Sequence, residues 1–226
     1  MKKFLEYKLL FLLLIPSICS AHGITGEDQQ FLSNNPGVHF IPYLYLGAKH
    51  MVTGYDHLLF LAGVIFFLYR VRDVAVYVTL FAFGHSATLL FGVLSGVSVN
   101  VYFIDAIIGF SVVYKAFENI GGFDKLSFKP NTKLAVFIFG LFHGFGLSSK
   151  LQDIALSSDG IVYNIIGFNI GVEIGQFIAL IFMLLFFNFW RNTENFRNHA
   201  QNGNYLLMMA GFLLISYQLS GYFLLS

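Results

Sequence analysis

Charge is the scarcest commodity in this chain. Asp, Glu, Lys and Arg make up 11% of its 226 residues, against about 25% in an ordinary soluble domain, so a water-facing globular surface is excluded for most of its length. Cysteine is almost missing as well. Cys19 is the single one, and it falls in a segment expected to be removed. A mature chain without thiols has no disulfide and no thiolate ligand, which excludes a zinc ribbon or a copper–thiolate centre. No Gly-x4-Gly-Lys-Ser/Thr run is present, so there is no ATP site of that kind. The few Lys and Arg lie in short loops rather than on one basic face, which excludes nucleic acid as a partner.

What the chain has is apolar surface: 57% hydrophobic residues, 18% aromatic, 28 Phe, and a mean hydropathy of +0.71. The phenylalanines read as lipid-facing and packing surface. At the N-terminus Lys2, Lys3 and Lys8 flank an apolar run from Leu9 to Ile15, followed by Pro16 and small residues up to Ala21. That is the pattern of a removed signal peptide, and the run is short of the roughly 20 residues a membrane span needs. The expected organisation is a signal peptide over 1–21, a short periplasmic segment over 22–42, and one transmembrane domain over 43–226. Apolar segments at 50–69, 74–96, 101–119, 133–150, 162–189 and 204–224 predict an all-α, polytopic transmembrane bundle of about six helices.

Loop charges orient it. Arg70, Arg72, Lys125, Lys129, Lys133, Arg191 and Arg197 fall in the first, third and fifth connections, with Lys115 close by, whereas Lys49 and Lys150 are assigned to the other side. Positive charge stays cytoplasmic, so both mature termini are expected in the periplasm and the protein in a bacterial inner membrane. The lipid bilayer is the first partner; the oligomeric state is left open, a homo-oligomer included. Gly167, Gly171 and Gly175, Gly92 and Gly96, and Gly140 and Gly144 recur at intervals of four, the spacing that lets helix backbones approach closely in lipid.

Against this background the ionisable residues inside apolar segments stand out: His50, Asp56, His57, His85, Asp105, His143 and Glu173. Each such residue costs about 2.5–3.5 kcal/mol at the centre of a span, so a handful is expected to converge and compensate inside the bundle. His85, His143 and Glu173 are expected at mid-membrane, Asp56, His57 and Asp105 nearer the periplasmic ends. Asn169, Glu173 and Gln176 form one polar stripe at i, i+4, i+7, opposite the glycines of the same helix. Ser111, Tyr114 and Glu118 form a second, leading with Asn119 toward the cytoplasmic end. His50 and His57 are seven residues, two helical turns, apart, offering two imidazoles on one helical face with Asp56 beside them. Imidazole with carboxylate and no sulfur suits nickel, zinc, cobalt, iron or manganese. His22, His39 and His199 read as ordinary loop residues.

These segments resemble the HupE/UreJ family of membrane proteins. The resemblance rests on HMVTGYDHLLFL with its His50-x5-Asp56-His57, on FAFGHSATL around His85, DAIIGFSVVYKAFEN from Asp105, FGLFHGFGL around His143 and FNIGVEIGQ around Glu173. They recur in order and cover most of residues 47–180. The resemblance implies uptake of nickel, or cobalt, linked to hydrogenase or urease maturation, and nominates His50, Asp56, His57 and His143 as metal residues. The better-characterised permease branch carries a second His and a Glu shortly after the position of His143; here Gly146-Leu147-Ser148-Ser149 supplies neither, which places the chain nearer the second branch.

The reading is therefore a permease for a divalent transition metal ion: nickel, with cobalt or zinc as the other candidates. The competing reading is an intramembrane metal-dependent enzyme of hydrolase type. In it the same His and acids hold zinc with an open water position, Glu173 acts as base, and Ser86 or Ser111 touches the substrate.

Overall fold

The computed structural model describes residues 30, 37–127, 129–152 and 160–225. The expected signal peptide and the stretch that follows it to residue 29 lie outside the described residues, as do 31–36. The described chain is helical: α1 (Phe40–Thr53), α2 (Tyr55–Ile65), α3 (Val71–Ser95), α4 (Val101–Asn119), a single turn α5 (Gly122–Lys125), α6 (Thr132–Gln152), α7 (Ile161–Arg191) and α8 (Asn195–Leu225). By length and composition four segments can cross a bilayer: Val71–Ser95, Thr132–Gln152, Ile161–Arg191 and Asn198–Leu224. The other two expected spans differ for identifiable reasons. The third, α4, carries Asp105, Lys115 and Glu118 within 19 residues. The first is broken in two.

That break is the main departure from the sequence reading. The helix begins at Phe40 rather than near residue 50, because Pro42 sits in its first turn, where a missing N–H is tolerated. It stops at Gly54, whose φ of −72° and ψ of 94° leave the helical region while its N–H donates to the His50 carbonyl at 2.8 Å. The α2 helix then restarts at Tyr55. Lys49, assigned by sequence to a periplasmic loop, thus lies inside α1. The last helix also starts earlier than 204, since Phe196, Ala200, Asn204 and Leu207 form a buried stripe ahead of the apolar run. His199 consequently sits on α8 and not in a loop.

Glycines set the pairing. Gly167, Gly171 and Gly175 of α7 meet Phe40, Leu44 and Ala48 of α1 in ascending order, so these two helices run parallel. A Cβ at Gly175 would lie 2.6 Å from the Ala48 carbonyl oxygen. Gly84 and Gly92 of α3 and Gly140 and Gly144 of α6 pack likewise, Phe81 meeting Gly140, His85 meeting Gly144 and Gly92 meeting Ser148, again in parallel. In α4 and α8 the order reverses: Gly109 meets Leu214 and Ile215, and Tyr102 meets Gly221. Each pair joins helices far apart in sequence, and the directions alternate along the chain.

The two ends of the bundle differ. At one, the Asn119 amide donates to Gly63 O and to Asn204 Oδ1, both at 2.8 Å, and Arg191 donates to Phe66 O at 2.8 Å while stacking on Tyr69. The connections carrying Arg70, Lys125, Lys129 and Lys133 gather at this basic end. At the other, Asn164 accepts from His39 N–H at 2.7 Å and donates to Gly37 O at 2.8 Å, tying the start of α1 to the start of α7. His39 is thus a backbone anchor at the head of α1.

Candidate metal centre

Four of the seven nominated residues with ligating side chains meet as imidazoles around His57. Its ring centroid lies 5.0 Å from that of His50, 5.8 Å from His85 and 4.9 Å from His143. The helix break makes the first of these contacts. In a continuous helix the seven-residue separation would put the two residues about 10.5 Å apart along the axis; ending α1 at Gly54 and restarting folds His57 back toward His50. The other contacts follow from α3 lying close on α6, a contact clasped by Thr88 Oγ1 donating to Leu141 O at 2.7 Å. That contact sets His85 and His143, both mid-helix, against the first turn of α2. Asp56 and His57 therefore share the depth of His85 and His143, deeper than the sequence placed them.

Hydrogen bonds fix how two of the rings present themselves. His143 Nδ1 is 2.7 Å from the Phe139 carbonyl oxygen, and His57 Nδ1 is 2.9 Å from Asp56 Oδ1. A carbonyl and a carboxylate only accept, so in both rings Nδ1 is the donor, which in the neutral ring leaves the lone pair on Nε2. A carboxylate behind an imidazole is the arrangement that orients metal-ligating histidines. His57, His85 and His143 are 3%, 1% and 1% exposed. Yet His57 Nε2, His143 Nε2 and both nitrogens of His85 have no hydrogen-bond partner. Each such buried orphan costs about 1–3 kcal/mol; four of them together mark a place built to receive something. Among the described residues, no three His, Cys, Asp or Glu side chains already surround a single ion position. The rings meet edge to face, with interplanar angles of 67° to 78° around His57.

Asp105 and Glu173 are not in this group. Asp105 is buried at the opposite end of the bundle from the basic loops, its carboxylate held by Lys150 Nζ at 2.8 and 3.0 Å and by Gln218 Nε2 at 3.3 Å. Glu173 is exposed on the outside of α7. The buried arc of that helix is broad enough to take in both the glycines and the two amides Asn169 and Gln176, and it ends one position short of Glu173. Both side-chain atoms of Asn169 and Nε2 of Gln176 are buried without partners. They bracket the level at which Gly171 and Gly175 meet Ala48 and Met51, next to His50.

The second stripe runs along α4 toward the end of the bundle where the basic connections lie. The Ser111 hydroxyl is spent on the Ile108 carbonyl at 2.6 Å, Tyr114 packs on Phe139 at 5.3 Å, and Glu118 pairs with Lys115 at 2.6 Å and with the Thr132 hydroxyl. Asn119 is the cross-brace at the basic end already described. Ser86 is half-buried beside His85.

One layer went unread. Phe60, Phe81 and Phe139 each lie one turn from a cluster histidine, three after His57 and four before His85 and His143. Because α2 runs opposite to α3 and α6, all three rings fall on the basic-end side. Phe60 joins the other two, meeting Phe81 at 5.3 Å and Phe139 at 5.8 Å, and both Phe60 and Phe81 meet His143, at 5.6 and 4.9 Å. The signal was there in the recurring Phe–His spacing, but it acquires meaning only once helix directions are known.

A helical, multi-pass membrane protein with a cluster of buried histidines flanked on one side by aromatic rings is the class these features define. The family model described as HupE / UreJ protein matches residues 26–226, and the chain belongs to that family. No curated protein and no solved structure matches it.

Proposed function

We propose that the protein is a permease for a divalent transition metal ion, nickel in the first place and cobalt in the second. In this reading it spans a bacterial inner membrane six times with both mature termini in the periplasm. His50, His57, His85 and His143, with Asp56 orienting His57, make the intramembrane site. The observation that carries this is the pair of Nε2 lone pairs on His57 and His143, aimed into the bundle with each Nδ1 already committed. Neutral imidazoles without sulfur suit nickel, cobalt and zinc, and membership of the HupE/UreJ family supports the first two.

The ion is cargo, and the site suits cargo. Imidazoles gathered without a finished cage of three or more ligands among the described residues suit an ion that is bound and released. The Asp105–Lys150 end, being poor in positive charge, is the entry. The rings of Phe60, Phe81 and Phe139 stand between the histidines and Glu118, so passage toward the basic end requires them to move. With no nucleotide motif in the sequence, the gradient or the membrane potential drives the ion, the latter contributing about 2.3 kcal/mol per charge per 100 mV.

The test is nickel binding to detergent-purified protein by calorimetry, with uptake by reconstituted vesicles, for the wild type and His57→Ala. We expect weak, exchangeable binding and measurable uptake, both reduced at least tenfold by the substitution. Absence of binding by the wild type, or unchanged binding in His57→Ala, overturns the reading.

A further inference from the structure

The outward face of α7 poses a problem that the metal site does not solve. Glu173 lies about 18 Å along the helix from Ile161, at 1.5 Å per residue, among Ile166, Ile170, Ile174 and Phe177, all exposed. A carboxyl group turned toward hydrocarbon at that depth is costly, by about 2.5–3.5 kcal/mol for an acid at mid-span. Glu173 has no hydrogen bond or ion pair among the described residues, and α7 packs chiefly on α1 with its other side open.

The pattern around it says what covers it. Ile166, Ile170, Glu173 and Phe177 are spaced by four, three and four, the spacing of a coiled-coil seam, in which a single polar residue among apolar ones fixes register and partner number. We propose that this seam is a self-association surface, and that two copies of the chain pair in the membrane through parallel α7 helices with the two Glu173 side chains facing each other. Two features select a second copy as the occupant. A two-fold axis along the membrane normal brings every α7 residue opposite itself, at one depth, without any further adjustment. A carboxyl group in its protonated form is both donor and acceptor, so two of them exchanging reciprocal hydrogen bonds satisfy one another where neither lipid nor an apolar helix can. The apolar rows on either side, mostly β-branched isoleucine, supply the packing that drives helix association in lipid. The pairing stands apart from the metal reading, since the histidine cluster lies on the inner side of the bundle.

Cysteine cross-linking in native membranes tests it. In a Cys19→Ser background, Ile170→Cys and Phe177→Cys are oxidised alongside Leu213→Cys, a control on the exposed face of α8. We expect a disulfide-linked species of twice the monomer mass from the two α7 variants and none from the control. Adding Glu173→Leu should reduce the yield at least fivefold, and Glu173→Gln, which still hydrogen-bonds to its symmetry mate, should retain most of it. Circular dichroism melts of the Glu173→Leu protein, expected to be unchanged or higher in Tm, separate loss of pairing from loss of fold. Cross-linking of the α7 variants no greater than that of the control overturns the proposal, as does light scattering that finds a monomer in mild detergent or a dimer indifferent to Glu173→Leu.

Discussion

At the residue scale, the distinction that matters is between ionisable side chains that are satisfied and those that are not. Asp56 accepts from His57 Nδ1 and holds its Nε2 lone pair toward the other rings. Asp56→Asn removes the charge and keeps the shape, so on the proposed metal reading nickel affinity is expected to fall 10–100-fold, the usual effect of removing a group that orients a metal-binding imidazole, with the fold intact; calorimetry on the purified variant reads it. Asp105 is the opposite case. It is already paired with Lys150 inside the bundle, so Asp105→Asn strands an ammonium group and should destabilise by about 3 kcal/mol. Asp105→Asn with Lys150→Met, which removes both charges, should recover most of that in a thermal melt. Sequence could nominate both acids as intramembrane oddities but could not tell them apart. What separates them is the identity of the neighbour on another helix, and no spacing within one helix contains that information.

At the scale of the element, periodicity read the helices well and their interruptions poorly. The polar stripe Asn169, Glu173, Gln176 and the glycine stripe of α7 are both where a helical wheel puts them. The wheel does not say where the buried arc ends, and it ends between Asn169 and Glu173. The α1–α2 junction was missed for another reason. HMVTGYDHLLFL carries no proline and one glycine, so it reads as continuous helix until the chain is seen to stop at Gly54. The glycine spacing, by contrast, was legible because close approach in lipid demands small residues whatever the partner. Gly171 sits directly against the Leu44 carbonyl, and Gly171→Val should force α7 off α1. The expected result is a Tm drop of several degrees and, on the proposed metal reading, a loss of nickel binding, because His50 rides on α1.

At the scale of the molecule, the composition sufficed to place the chain in a membrane, and the connections that carry Arg70, Lys125 and Lys129 lie together at one end of the bundle. The pairing of helices was not foretold, since nothing in a hydropathy pattern says which apolar face meets which. It turns out that no principal pair joins neighbours: α1 awaits α7, α3 awaits α6, and α4 awaits α8. A chain truncated after α6 should therefore insert yet remain open to protease, because α1 and α4 both lack their mates; limited proteolysis of membranes carrying the truncated and full-length proteins measures this. The same wiring bears on biogenesis. The first helix among the described residues, α1, waits with His50 and Lys49 uncovered by their eventual neighbour until nearly the whole polypeptide has been made. Such wiring implies that synthesis runs ahead of assembly, and that His50 gains its helix partner only once α7 has been made.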